Sequence, residues 1–83
     1  MMAKATIDYL GKYGTGDSLE NPSAVIRRIA SGDIYTIEIC NKRMAWREDM
    51  DLIRYFWGIE GDATAITEEL ASKTISTWQK KWF

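Results

Sequence analysis

The segment from Trp46 to Trp82 constrains the fold most strongly, because it contains all four tryptophans of the chain. A chain of 83 residues has room for one small domain, so these bulky side chains must supply much of its core. Apolar residues recur in this segment at the three- and four-residue spacing of a helix face: Met50, Ile53, Phe56, Trp57, and later Ala63, Ile66 and Leu70. We therefore predict a single domain, residues 1–83, whose C-terminal half is helical.

The helical pattern allows two interpretations after Leu70. Ser72 can cap a separate last helix whose apolar stripe is Ile75, Trp78 and Trp82. Alternatively, one helix runs without a break from residue 63 to residue 82. The cluster of β-branched and hydroxyl residues at 74–77 has poor helix propensity and favours the break.

The N-terminal part of the chain also carries helix signals. Residues 3–13 match a short helix broken by Gly11, and residues 14–18 form a glycine-containing linker. A second helix is predicted over residues 22–31, with Asn21 as its N-cap and Gly32 as its C-terminal cap. Its apolar face consists of Val25, Ile26, Ile29 and Ala30. Arg27 and Arg28 are expected to be solvated charges.

Residues 34–47 change to a period of two, which is typical of a half-buried strand. A two-residue turn at Asn41-Lys42 would place Ile39 opposite Met44 and Ile37 opposite Trp46. We predict one β-hairpin at about 34–47. The fold class that follows is α+β: a small domain with N-terminal helices, one hairpin and a helical C-terminal half.

The residue inventory argues against an enzyme. The chain has no histidine and one cysteine, Cys40, so no Ser-His-Asp arrangement, disulfide or multi-cysteine metal site can be built within it. We predict no catalytic residue, no metal and no cofactor. The absence of a signal-peptide core and of a long apolar run predicts a cytoplasmic protein without a membrane partner. Because the domain is small, a homodimer is a further expectation.

Charge is distributed unevenly along the chain. Residues 48–69 carry seven acids against one base, Arg54, and residues 70–83 carry three lysines and no acid. An acidic segment followed by a basic segment with tryptophans suggests a surface that binds a macromolecule. The sequence offers two hypotheses for that macromolecule.

The first hypothesis is DNA. The segment SKTISTWQKKW, together with the apolar positions before it, resembles a helix-turn-helix of the homeodomain or Myb-like kind. The positions that carry the resemblance are Trp46 to Asp49, Leu52, Ile66, Leu70, Thr74, Ile75 and Trp78. It implies a transcriptional regulator that binds double-stranded DNA through a recognition helix. The residues that would cap this helix or meet bases and phosphates are Ser72, Lys73, Thr74, Ser76, Thr77, Gln79, Lys80 and Lys81.

The second hypothesis is a protein target. Small bacteriophage and mobile-element proteins are often single acidic domains without a catalytic set, and some inhibit host defence. In this chain the acids could imitate DNA and occupy the basic groove of a protein that handles nucleic acid. The residues concerned are Glu48, Asp49, Asp51, Glu60, Asp62, Glu68 and Glu69. A break at Ser72 favours DNA, and an unbroken helix favours a protein partner.

Overall fold

The computed structural model describes residues 5–18, 20–57 and 63–82. They form a five-stranded antiparallel sheet with the strand order β4-β3-β2-β1-β5, and helical segments cover both of its faces. The strands are β1 (Thr6–Lys12), β2 (Ala24–Ser31), β3 (Ile34–Asn41), β4 (Met44–Glu48) and β5 (Ala63–Ile66). The helical segments are a 3-10 helix (Met50–Leu52), the single turn α1 (Ile53–Phe56) and the long helix α2 (Glu68–Trp82). The predicted fold with N-terminal helices and one hairpin is therefore wrong.

The predicted helix at 22–31 is strand β2, which lies in the centre of the sheet between β1 and β3. Val25 and Ile26 are both fully buried, although they point to opposite faces. A strand buried on both faces has no period of two, and its apolar run matches a helix face equally well. Gly32 caps no helix: with φ of 62° it begins the two-residue turn to β3, where a type II′ hairpin needs positive φ.

The predicted helix at 3–13 is strand β1, which pairs with β2 on one side and β5 on the other. Gly11 is buried here, where a Cβ would lie 3.0 Å from the ring of Tyr13 and 3.1 Å from Cγ2 of Ile66. The glycine therefore permits close packing within the sheet, instead of breaking a helix.

Strands β3 and β4 lie within residues 34–48 and form a hairpin, but its turn and register differ from the prediction. The turn residues are Lys42 and Arg43, and the Oδ1 of Asn41 accepts the Arg43 N–H at 2.8 Å. Neither turn residue needs positive φ, because an irregularity in the β3–β4 pairing adjusts the strands. Consequently Ile39 lies opposite Arg47, so the expected pairs of Ile39 with Met44 and Ile37 with Trp46 are wrong.

The C-terminal half is only partly helical. Residues 63–66, expected to open a helix, form β5 instead. Helix α2 then runs unbroken through Ser72, and its N-cap is Thr67, whose Oγ1 accepts the Leu70 N–H at 3.1 Å. The helix before it, α1, has four residues. Within the described residues there is no helix-turn-helix pair, so the resemblance to homeodomain and Myb-like proteins is not supported by the fold.

The core lies on both sides of the sheet. On the face that α2 covers, here called the α2 face, Val25 and Cys40 pack with Ala71 and Trp78 of the helix. The opposite face buries Ile26 and Ile37 completely. There the guanidinium of Arg28 lies 4.9 Å from the ring centroid of Phe56, and the amine of Lys12 lies 5.5 Å from that of Tyr55. These cation–π contacts hold α1 against the sheet.

Candidate functional site

A row of paired residues crosses the α2 face from one edge of the sheet to the other. Glu48 of β4 lies opposite Glu38, Glu38 opposite Arg27, Arg27 opposite Tyr9, and Tyr9 opposite Ile66 of β5. Arg27 and Glu38 are partly buried in this row and need compensation, because a partly buried charge is costly without a partner. They supply it to each other.

Arg27 is fixed by an ion pair and by a tryptophan. Its Nε donates to Glu38 Oε1 at 2.7 Å, and its Nη2 lies 2.6 Å from the same oxygen. Its guanidinium is also 3.8 Å from the ring centroid of Trp46, which comes from β4. The side chains of Arg27 and Glu38 are 23% and 22% exposed. In such a partly desolvated position a cation–π contact is worth about 1 kcal/mol, so the cluster Arg27–Glu38–Trp46 is held in one arrangement.

Arg27 and Trp46 of this cluster lie in the floor of an open groove between α2 and the sheet, with a volume of about 240 Å³. Tyr9, Arg27 and Trp46 come from the strands, whereas Ser72, Ile75, Ser76 and Gln79 come from α2. The helical residues are spaced by three or four, so they line one side of α2. The groove therefore offers an aromatic and cationic floor beside a wall of hydroxyl and amide groups.

The groove lies next to a free edge of the sheet. Strand β4 has β3 as its one neighbour in the sheet order of the described residues. The Asp49 N–H donates to the carbonyl of Ile37 at 2.9 Å, which directs the Asp49 backbone toward β3. Because backbone direction alternates along an antiparallel strand, the N–H and C=O of Glu48 point outward. Outward backbone groups at an edge can pair with another chain.

The acids expected to form one surface fall into two groups. Glu48 ends β4 at one edge and Asp49 and Asp51 follow it, whereas Glu68 and Glu69 begin α2 beyond the opposite edge. Four strand spacings separate these edges, or about 19 Å. Asp49 also has a local role, because its Oδ1 accepts the Asp51 N–H at 3.2 Å and caps the 3-10 helix. The remaining predicted acids, Glu60 and Asp62, lie outside the described residues.

The residues expected to contact DNA are distributed around α2. Ser72, Ser76 and Gln79 line the groove, whereas Lys73 and Thr77 lie on the other side of the helix, near Asn21. Thr74 belongs to the core at 7% exposure, and Lys80 is exposed. The side chain of Lys81 lies outside the described part of the chain. The structure thus brings three of these residues to the groove and places Lys73, Thr74 and Thr77 elsewhere.

A second cavity, of about 260 Å³, lies between the β1–β2 loop and the C-terminal part of α2. The polar side chains that the loop contributes to this cavity form hydrogen bonds within the loop and to its ends. Asp17 Oδ2 accepts the Gly14 N–H at 2.6 Å, Asn21 Nδ2 donates to Ser18 Oγ at 2.9 Å, and Ser23 Oγ donates to the carbonyl of Lys12 at 3.0 Å. These bonds explain the cavity as part of the loop structure.

Metal-binding groups are not assembled in the part of the chain that the structure describes. No group of three His, Cys, Asp or Glu residues there could hold a metal ion. Cys40 is 1% exposed, and burial raises the pKa of its thiol to about 11, although the nearby Arg27 opposes the shift. At neutral pH this thiol is protonated, so it is a poor nucleophile.

No protein-family model, curated protein or solved structure matches this chain. In the described residues, no helix has the length and apolar character needed to cross a membrane.

Sequence reasoning missed the residues at the centre of this site: Tyr9, Arg27 and Glu38. Arg27 was assigned to a helix surface, and Trp46 was expected to pack on Ile37. One available signal was the pair Arg27-Arg28 inside the apolar run VIRRIA. In a central strand these side chains point to opposite faces, and each then requires an acid on a neighbouring strand. Glu38 and Asp8 are those acids.

Proposed function

We propose that this protein is a non-enzymatic binding module that captures an extended segment of a partner protein along strand β4. The observation that carries the proposal is the outer edge of β4 beside the groove under α2, an edge that pairs with no further strand within the described residues. A segment added to a sheet edge gains main-chain hydrogen bonds, and its alternate side chains enter neighbouring pockets, which provide specificity. Both elements are present at β4.

The dimensions of the groove favour side chains as its occupants. Its volume of about 240 Å³ is below the roughly 300–1,000 Å³ of pockets that enclose a drug-sized ligand. An added strand would lie about 4.8 Å outside β4 and would direct every second side chain to the α2 face. Such a side chain would meet Trp46, which β4 contributes to the groove floor.

The unbroken helix α2 supports a protein partner over DNA. A helix-turn-helix presents its recognition helix after a short turn from a preceding helix, whereas α2 follows β5 and packs its Ala71, Thr74 and Trp78 into the core. The proposal keeps the hypothesis of a protein target. The binding surface in this proposal is the β4 edge and not one acidic face.

A peptide selection with two matched variants tests the proposal. Random eight-residue peptides are displayed and selected on the immobilised protein, and the affinities of synthetic winners are measured by fluorescence anisotropy. Glu48→Pro removes the outward N–H of β4, whereas Glu48→Gln keeps it, and both remove the same charge. Proline is tolerated where an edge strand's N–H faces solvent. Thermal unfolding followed by circular dichroism confirms that each variant is folded.

We expect Glu48→Pro to bind the selected peptides about tenfold more weakly than Glu48→Gln, because one hydrogen bond is lost and a peptide carbonyl is left unpaired. Amide chemical shifts should change at residues 46–48 and at Ser72, Ser76 and Gln79. Equal affinities of the two folded variants, or shifts confined to the Lys73 and Thr77 side of α2, would show that β4 is not the binding strand.

A further inference from the structure

We infer that the segment captured by β4 carries a lysine or arginine that pairs with Glu48, with an apolar residue two positions away that packs on Trp46. This inference rests on the proposed function, since it names the chemistry of the partner at the same edge. It is carried by the charge balance of the residue row on the α2 face and by the position of Trp46 beside that row.

The row has one negative charge in excess at its β4 end. Glu38 and Glu48 lie directly opposite one another, and the guanidinium of Arg27 is bound to Glu38 and stacked on Trp46. Among the described residues, no ion pair joins Glu48 to a cation, and Glu48 is exposed. Like charges directly opposite in neighbouring strands repel, so Glu48 lacks compensation within the sheet.

The backbone geometry brings the side chains of Glu38 and Glu48 close together. The bond from Asp49 N–H to the Ile37 carbonyl makes Asp49 and Ile37 a hydrogen-bonded pair, so Glu48 and Glu38 form the adjacent non-hydrogen-bonded pair. Side chains approach most closely in such pairs, whose Cα atoms are about 4.5 Å apart. The charges of Arg27, Glu38 and Glu48 are positive, negative and negative in order across the sheet. A cation on the outer side of Glu48 would add a positive charge at the end of this order.

Glu48 is the charge that the end of β4 presents on the α2 face. Its neighbours in the chain, Arg47 and Asp49, point to the opposite face because adjacent strand residues alternate. A residue of the captured strand that pairs with the outward backbone of Glu48 has its side chain on the α2 face, beside this carboxylate. Lysine and arginine provide the length and the charge.

The second half of the inferred motif follows from the period of a strand. Residues two apart share a face, so the neighbour of the cation on that face lies beside Trp46. One face of the Trp46 ring contacts Arg27, and the groove next to it is lined by Ile75 and Gln79. An aliphatic or aromatic side chain buries apolar surface there. The captured segment is therefore a basic residue and an apolar residue separated by one position.

A charge-swap experiment with the selected peptides tests the inference. The protein variants are Glu48→Lys and, as the matched control, Glu69→Lys, which makes the same change of net charge at the far edge of the sheet. Each is titrated with a selected peptide and with a copy whose basic residue is replaced by glutamate. Measurements at low and high salt separate pairing from other contacts.

Selected peptides should be enriched in lysine or arginine two positions from an apolar residue. Glu48→Lys should weaken their binding about tenfold at low salt, because repulsion replaces attraction, and the glutamate copy of the peptide should recover most of this loss. Glu69→Lys should change affinity less than about twofold, since screened charges about 19 Å apart interact weakly.

The outcomes separate the two proposals. If the peptides are sensitive to Glu48→Pro relative to Glu48→Gln but show no basic enrichment and no response to Glu48→Lys, the inferred partner chemistry is wrong and strand capture stands. If Glu69→Lys weakens binding as much as Glu48→Lys, a general acidic field and not this pair attracts the peptide. If no selected peptide responds to the proline variant, both proposals fail.

Discussion

Helix α2 gives a test in which two interpretations of the sequence predict effects of opposite sign. In the structure Thr67 is the N-cap, with its Oγ1 3.1 Å from the Leu70 nitrogen and its carbonyl 3.0 Å from the Ala71 nitrogen. Ser72 is exposed and lies inside the helix, five residues after Thr67. If a separate helix began at Ser72, that serine would instead be the cap.

The expected magnitudes follow from these positions. Thr67→Ala removes the side-chain cap and should lower the free energy of unfolding by about 1 kcal/mol. Ser72→Ala replaces a weaker helix former at an exposed interior site and should raise it by about 0.5 kcal/mol. In a domain of this size, 1 kcal/mol shifts Tm by roughly 4–8 °C. The two variants should therefore move Tm in opposite directions.

Thermal and guanidinium unfolding, followed by far-ultraviolet circular dichroism, measures both changes. Because both substitutions remove one hydroxyl from an exposed position, each variant serves as the control for the other. A loss of about 1 kcal/mol in Ser72→Ala together with no loss in Thr67→Ala would refute the unbroken helix and restore a helix start at Ser72.

Two further predictions concern the core. Trp78→Ala should lower the free energy of unfolding by about 3–5 kcal/mol, because Trp78 is 5% exposed. Trp57 is 66% exposed, so Trp57→Ala should change this free energy by less than about 0.5 kcal/mol. Similar losses in both variants would contradict the packing of α2 on the sheet. The free energy of unfolding should also fall as pH rises from 9 to about 11, because burial raises the folded-state pKa of Cys40 to about 11 and the unfolded thiol ionises first. Cys40→Ala, compared by chemical unfolding across this range, should show a smaller fall, and an identical pH dependence would show that Cys40 does not contribute.

The hairpin of β3 and β4 shows how far local sequence patterns can predict the fold. Alternation of apolar and polar residues indicated strands at 34–47, where the structure has β3 and β4. Their register could not be predicted, since it depends on the irregular pairing near Asn41 and on the Asn41 side chain that bonds the turn. The observed register differs from the expected one by three positions at Ile39, which lies opposite Arg47 and not opposite Met44.

The prediction of a helix at the position of strand β2 was wrong for a different physical reason. Apolar and polar residues alternate when one face of a strand is buried and the other is exposed. A central strand that is covered on both faces does not show this alternation. The β-branched residues Val25, Ile26 and Ile29, followed by Gly32-Asp33, agree with a strand and a hairpin turn. The cap signals of Asn21 and Pro22 favour a helix instead, and only tertiary context decides between the two patterns.

The candidate site was harder to predict than the fold. Its floor combines Tyr9, Arg27 and Trp46 from three strands, and its wall comes from a helix that begins beyond the far edge. Such a set is defined by strand order and register, which no local window contains. The acids near Glu48 were identified from composition, but their separation from Glu68 and Glu69 follows from β4 and β5 lying at opposite edges.

The pairing of β1 with β5 has a consequence for the order in which the chain folds. Strands β2, β3 and β4 are joined by two-residue turns and β1 precedes β2 by eleven residues, whereas Tyr9 must meet Ile66 across most of the sequence. Closing a loop of that length costs more chain entropy than closing a hairpin. During synthesis on a ribosome, the meander β1–β4 can assemble before β5 and α2 have emerged. The groove under α2 is thus completed only at the end of folding, when the last helix docks.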